Sequence, residues 1–279
     1  MTLSPSERRG ETSDVKAVNA HWGRQDLDQA ILASLAAAGK NIDALTLDDL
    51  APADQFHGGG KPATVRLARL AGLRPGMRVL DVGGGLGGPA RTLAAEFGCH
   101  VTVIDLTESY VCAGEALTAR LGLADQVSHL VGDALAITVD LDGVDVVWTQ
   151  NSGMNIADKE RLYAGFSRVL RGGGRLATQE PMRGPGGAPI FPVMWARDAA
   201  QSFLLAPEEM RALMEAAGFR ARVWEDVTTE LAPSPGESVP AYSIQRIVMG
   251  DGLDEIMRAG QRNRAEGRIV NIQAILDRA

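Results

Sequence analysis

The chain is short of the features that would place it outside a reducing, aqueous compartment or on a nucleic acid. Only two of its 279 residues are cysteine, Cys99 and Cys112, and both fall inside apolar-patterned stretches. Such positions predict buried free thiols rather than a disulfide framework, and the spacing matches no metal-ligand pattern, so no metal is expected. Met1 to Asp14 is polar and lacks the apolar stretch of a secretory signal, and no run approaches the roughly 20 apolar residues that cross a bilayer. Basic residues are in the minority, 28 Lys and Arg against 35 Asp and Glu for a formal charge of −7. That balance lacks the electrostatic footprint of a nucleic-acid binder. Together these shortages predict a cytoplasmic protein with a small neutral or cationic partner and neither nucleic-acid binding nor membrane insertion. A homodimer is the default expectation for its assembly. What is present is ordinary globular composition, 45% hydrophobic and 23% charged, in a chain long enough to bury a core without staples.

Residues 1–14 read as a flexible tail and 15–72 as a helical segment lying over the site as a lid. In that segment Leu27, Ile31, Leu32 and Leu35 repeat at helical spacing over Leu27 to Ala38, and a second short helix runs from Pro62 to Ala71. Between them stands a glycine-rich turn, Asp54-Gln55-Phe56-His57-Gly58-Gly59-Gly60. From residue 73 to 279 strands and helices alternate. Strands are predicted over Val79 to Val82, Val101 to Ile104, Gln126 to Val131, Val144 to Thr149, Arg175 to Gln179, Phe219 to Val227 and Arg268 to Leu276. Helices are predicted over Pro89 to Phe97, Glu108 to Leu121, Asp158 to Leu170, Pro207 to Ala217 and Gly252 to Arg264. This alternation predicts an α/β fold, a Rossmann-like doubly wound sheet of about seven strands, mostly parallel with an antiparallel last strand. Gly- and Pro-rich residues around 181–206 read as a cap insertion on the sheet rather than a linker.

The densest motif is Val79-Leu80-Asp81-Val82-Gly83-Gly84-Gly85-Leu86-Gly87-Gly88, a strand-to-helix turn whose glycines let backbone approach a ligand closely. Such a turn alone also fits a dinucleotide. Asp81 separates the two: a carboxylate ahead of the first glycine repels a pyrophosphate and attracts an ammonium. S-adenosylmethionine carries an ammonium and no phosphate. Asp105 ends the second strand, where an acid accepts ribose hydroxyls, and Gly132-Asp133-Ala134 ends the third, within reach of an adenine. Taken singly, each acid could be a cap or turn residue; their placement at three successive strand ends is what points to one ligand.

These stretches resemble the class I S-adenosylmethionine-dependent methyltransferase superfamily. Over Trp22 to Ala279 the chain is similar to bacterial sarcosine and dimethylglycine N-methyltransferases. The likeness is carried by Asp54 to Gly59, Val79 to Arg91, Gly132 to Ala134, Met154 to Lys159 and Arg168 to Gly174. The resemblance implies cofactor contacts from Asp81, Gly83, Gly85, Asp105, Leu106, Asp133, Ala134 and Gln150. Two departures stand out. Gly84 occupies a position where such motifs often carry Cys, Ser or Thr, which should matter little for binding. Gln150 to Asn155 contains no histidine, whereas several relatives that methylate hydroxyls have one there. A neutral amine can attack a sulfonium methyl before losing its proton, so this tilts the expected acceptor toward an amine over a hydroxyl.

On the acceptor side, Glu180 closes the fifth strand and is expected beside the transferred methyl, as a base or orienting group; the alternative is a satisfied loop acid. His57 could serve as a base, bond the cofactor, or be structural. Asn155, Trp195 and Arg183 are the candidate substrate contacts: Phe191 to Trp195 would make an apolar wall, and Arg183 or Arg197 could hold a carboxylate. A nicotinamide oxidoreductase is disfavoured by Asp81, and a base-modifying methyltransferase by Gln150-Asn151-Ser152-Gly153 and the net charge. A cofactor-binding protein with a non-methylating role stays open, as do O- and C-methylation of a natural product or isoprenoid.

Overall fold

The computed structural model describes residues 22, 26–137, 143–232 and 239–279; the expected tail at 1–14 lies outside them. Seven strands form one sheet: β1 (Arg78–Val82), β2 (His100–Asp105), β3 (Val127–Val131), β4 (Val144–Gln150), β5 (Leu170–Arg183), β6 (Phe219–Asp226) and β7 (Ile269–Arg278). Their order is β3-β2-β1-β4-β5-β7-β6. Pairings from β3 through β5 are parallel, and β7 runs antiparallel between β5 and β6. The helices are α1 (Leu27–Ala37), α2 (Leu47–Asp54), α3 (Gly60–Ala71), α4 (Gly88–Phe97), α5 (Glu108–Arg120), α6 (Lys159–Val169), α7 (Pro207–Ala216), α8 (Ile244–Met249) and α9 (Leu253–Ala265). This is a Rossmann-like sheet with the antiparallel last strand the alternation predicted.

Two apolar layers hold it together, because successive strand residues point to opposite faces. Leu80, Val147, Leu176 and Leu276 pack with Leu162, Tyr163 and Phe166 of α6 and with Met210 and Met214 of α7. Their neighbours Val79, Val146, Ala177 and Ile275 pack the other way, against Leu67, Ala68 and Ala71 of α3 and Ala90 and Leu93 of α4. Helix α3 is therefore one of the helices that cover the sheet, while α1 packs with α8 and with Leu86 and Tyr110.

Local chemistry sets the helix limits. Thr46 caps α2 reciprocally with Asp49. Pro89 and Pro207 open α4 and α7, where the missing N–H has no helical partner to lose. Asp158 accepts from the Arg161 N–H at 2.9 Å to start α6. Helices α2 and α8 and the extension of β5 to Arg183 go beyond the predicted elements; α2 contains Pro52 and three aspartates, which hide its helical pattern. Residues 184–206 carry no strand and only the short 3-10 turn Ala199–Gln201. Among the described residues, no helix is long and apolar enough to cross a membrane.

Candidate cofactor and acceptor site

Parallel strands end together, so the turns that follow β1 to β4 meet at one edge of the sheet, where open α/β sheets bind ligands. There they enclose a cavity of about 550 Å³ lined by Asp81, Gly83, Gly85, Asp105, Leu106, Asp133, Ala134 and Gln150. His57, Asn155 and Trp195 line the same cavity. Eleven residues separated by up to 138 positions in the chain are thus brought together.

Asp81 is 1% exposed, and its Oδ2 has no hydrogen-bond partner in the protein. Burial, and secondly the charge of Asp105, push its carboxyl up to about 8. Asp105 holds the turn itself: its Oδ2 accepts the Gly85 N–H at 2.9 Å and its Oδ1 the Thr107 N–H at 2.8 Å. Burial raises the Asp105 carboxyl against those bonds. Asp133 accepts the Leu135 N–H at 2.8 Å, opening the 3-10 turn Ala134–Ala136. Gly84 is smaller than its position in the motif suggests for a reason the structure supplies. A Cβ there would stand 2.6 Å from Asp81 Oδ2 and 2.8 Å from Val103 Cγ1. Gly88 meets the same limit, with the Asp54 carbonyl oxygen 2.3 Å from where its Cβ would be.

His57 is 8% exposed, with Nε2 2.9 Å from Gln55 Oε1 and Nδ1 3.1 Å from the Gly58 carbonyl oxygen. Burial pulls its pKa down to about 4, so the ring is neutral at neutral pH. Gln150 Oε1 accepts from Trp148 Nε1 at 3.0 Å and lies 3.1 Å from Thr64 Oγ1. Behind it runs a polar row the sequence analysis missed. Gln150, Gln179 and Gln273 are register partners on β4, β5 and β7. Gln273 Nε2 donates to Gln179 Oε1 at 2.8 Å, Gln179 Nε2 donates to the Gly58 carbonyl at 3.0 Å, and Arg66 donates to Gln273 and Glu225. The three amides lie on three strands far apart in the chain, and only the register aligns them.

Two expected contacts lie elsewhere. Glu180 is 1% exposed and is not among the lining residues. Residue alternation turns it toward α6, behind the 3-10 turn Gly153–Asn155, where its Oε1 accepts the N–H groups of Gly153 at 2.9 Å and Ser152 at 3.3 Å. Arg183 is exposed, outside the lining, and paired with Glu209 at 2.8 Å on the surface; Arg197 is exposed and does not line the cavity either.

The lining also holds residues the sequence analysis did not single out as contacts, among them Trp22, Asp54, Tyr110, Arg161, Gln201 and Phe203. Asp54 is buried against Arg91 at 2.9 Å, with its Oδ1 lacking a hydrogen-bond partner. Burial raises its carboxyl and Arg91 opposes that. Its place directly ahead of the turn Gln55 to Gly60 was the available signal. His129, which reads as an ordinary strand residue, is 5% exposed with Nε2 3.0 Å from Thr118 Oγ1.

Comparison with known proteins agrees with this geometry. Residues 79–174 match a methyltransferase domain family. The chain is 33% identical over 117 residues to the glycine/sarcosine/dimethylglycine N-methyltransferase of Actinopolyspora halophila, 42% of this chain and 21% of that protein. It is 34% identical over 212 residues to the sarcosine/dimethylglycine N-methyltransferase of Halorhodospira halochloris, 68% of this chain and 72% of that protein. Among solved structures, the [4+2]-cyclase SpnF superposes with a TM-score of 0.67 at 19% identity, over 95% of this chain and 96% of that one, a likeness of fold. The chain spans between 21% and 31% of the length of the first three curated relatives it matches. With a shared domain, a relative matched over most of both chains and a common fold, this protein belongs to the class I S-adenosylmethionine-dependent methyltransferases.

Proposed function

We propose that the protein transfers the methyl group of S-adenosylmethionine to a nucleophilic nitrogen or oxygen of a small molecule, with an amine favoured over a hydroxyl. The observation that carries the reading is the buried, unpartnered Asp81 Oδ2 in one cavity with Asp105 and Asp133. A buried carboxylate without a partner is costly, and a cationic ammonium is the partner that would satisfy it. Bound there, the cofactor supplies a methyl already activated by its sulfonium.

In this reading Asp81 holds the ammonium, the backbone at Gly83 and Gly85 admits the amino-acid end, and Asp105 accepts the ribose hydroxyls. Leu106, Asp133 and Ala134 bind the adenine, and Gln150 adds a contact at the end of β4. Asn155 and Trp195 face the acceptor. The acceptor's lone pair forms the new bond to the methyl carbon, the carbon–sulfur pair stays on sulfur to leave S-adenosylhomocysteine, and the acceptor's proton is released. Little acid–base chemistry is demanded; alignment and exclusion of water carry the rate. His57 is the neutral group on the wall able to take or guide a proton, whereas Glu180 acts on the Gly153–Asn155 turn from behind. Trp22, Asp54, Phe56 and His57 of the segment ahead of the sheet domain, and Trp195, Ala200, Gln201 and Phe203 of the cap at 181–206, enclose the cavity over the sheet domain of 73–279. The reading carries with it a cytoplasmic homodimer without nucleic-acid or membrane partners.

Calorimetry with S-adenosylmethionine and a screen of amine, phenol and small-acid acceptors for S-adenosylhomocysteine formation tests the proposal. Binding with turnover is expected. Absence of cofactor binding would refute it, and binding without turnover across the panel would favour a non-methylating role.

A further inference from the structure

The cavity lining is of two chemical kinds. Asp81 and Asp105 stand at the glycine turn, Asp133 and Asp158 beyond it, and the one basic side chain among the described lining residues, Arg161, sits beside them, donating to the Leu135 carbonyl at 2.9 Å. Beside these, and beside Asp54 and His57, the described lining carries a connected set of aromatic and amide side chains. Trp22 meets Phe56 edge-on with ring centroids 5.3 Å apart and packs with Trp195 in one apolar cluster. Asn155 Nδ2 donates to the carbonyl oxygens of Trp195 and Gln201, both at 2.9 Å, and the Phe203 N–H donates to the Met154 carbonyl at 2.9 Å. Phe203 is 37% exposed, a large apolar side chain at once on the surface and on the cavity wall. Asn155 spends its amide hydrogens on backbone, which leaves its side-chain oxygen as the remaining acceptor for a ligand hydroxyl or amine.

On the premise that the cofactor occupies the part of the cavity lined by Asp81, Asp105 and Asp133, we infer that the acceptor is a largely apolar molecule without a carboxylate, an aromatic or alicyclic ring bearing its nucleophile. A zwitterionic amino acid, the acceptor class named for the Halorhodospira and Actinopolyspora relatives, does not fit. Its carboxylate would enter a space whose charges are mostly carboxylates and whose near walls are rings, and burial of an unpaired ion there is strongly unfavourable. Arg183, the residue that could have held a carboxylate, is on the surface with Glu209. Rings, by contrast, stack on Trp22, Trp195 and Phe203 with gain of apolar contact.

The experiment uses the full chain saturated with S-adenosylhomocysteine and three probes of one shape: naphthylmethanol, naphthoate and naphthylmethylammonium, with dimethylglycine as a fourth. Tryptophan fluorescence and calorimetry read the affinities. The neutral probe is expected to bind at least about tenfold more tightly than naphthoate, the ammonium probe to bind more tightly than naphthoate, and dimethylglycine to show no saturation. Phe203→Ala should weaken naphthylmethanol severalfold, and Phe203→Arg should raise the affinity for naphthoate relative to it; the S-adenosylhomocysteine affinity of each variant reports folding. Binding of naphthoate as tight as that of the neutral or the ammonium probe, saturable dimethylglycine, or no probe binding to a chain that holds S-adenosylhomocysteine would overturn the inference. Failure to bind S-adenosylhomocysteine would instead remove the premise, and the inference with it.

Discussion

Glu180 Oε1 accepts the backbone N–H of Gly153 at 2.9 Å, and the carbonyl of the same glycine accepts from Lys159 Nζ at 2.5 Å. The turn that carries Asn155 to the cavity is thus pinned on both sides of one residue by buried groups of opposite charge. Burial raises the Glu180 carboxyl and lowers the Lys159 ammonium to about 8, so each depends on the turn for its hydrogen bonds.

That arrangement separates positioning from proton transfer at Glu180. Glu180→Gln keeps an oxygen for the Gly153 N–H, and kcat/KM is expected to stay within about tenfold of the parent; a base would lose 10²–10⁴-fold, by the usual yield of general base catalysis. Glu180→Ala, which strands two buried N–H groups, should lower stability by about 1–3 kcal/mol in urea unfolding.

Asp81 should couple cofactor binding to pH. Its carboxyl, lifted to about 8, is protonated at neutrality in the free protein, and a cationic ammonium favours the ionised form. Binding at pH 7 is therefore expected to release up to about one proton, read as a dependence of the calorimetric heat on buffer ionisation enthalpy. Asp81→Asn should abolish the release and weaken binding by about 1.5–3 kcal/mol, the range for a charged hydrogen bond. The stability sign follows from the same shift. Because the folded value lies above the unfolded one, the contribution of Asp81 is fully present below about 4 and is lost as pH rises through about 8. The thermal midpoint of Asp81→Asn should thus fall less than the parent's over that interval.

Gly84→Ser restores a residue type seen in many such motifs, yet its Cβ would stand 2.6 Å from Asp81 Oδ2. Overpacking of this kind costs about 1–3 kcal/mol, and here it also displaces the carboxyl proposed to hold the ammonium. A cofactor affinity equal to the parent's would show that the turn relaxes freely and that the contact carries no weight.

Arg91 is fully buried, and its guanidinium donates to Asp54 Oδ2 at 2.9 Å and to Thr118 Oγ1 at 2.9 Å. Arg91→Met leaves the Asp54 carboxyl buried alone at the cavity wall, and a loss of about 3–5 kcal/mol in unfolding free energy is expected. The double variant Arg91→Met with Asp54→Leu should recover part of that loss, which a double-mutant cycle reads directly.

Much of this molecule was legible from one dimension. Asp81, Asp105 and Asp133 each stand at or within two residues of the end of an apolar run, so their arrival at neighbouring strand ends is set by local pattern and by the chain's right-handed crossovers. The glycine turn declares its own conformational need. The acceptor end could not be read this way. Whether Glu180 faced a ligand depended on strand alternation combined with which helix covers which face, and the strand here is buried on both faces and carries no polar-out pattern. Arg183 looked available because its partner, Glu209, is 26 residues away on α7. The sequence by itself determined the sheet and the placement of Asp81, Asp105 and Asp133 along one edge of it, since these rest on short-range periodicity and spacing. Only the tertiary structure decided that Trp22, Phe56, Asn155, Trp195 and Phe203 form one wall, because they come from segments with no repeating pattern, brought together by packing alone.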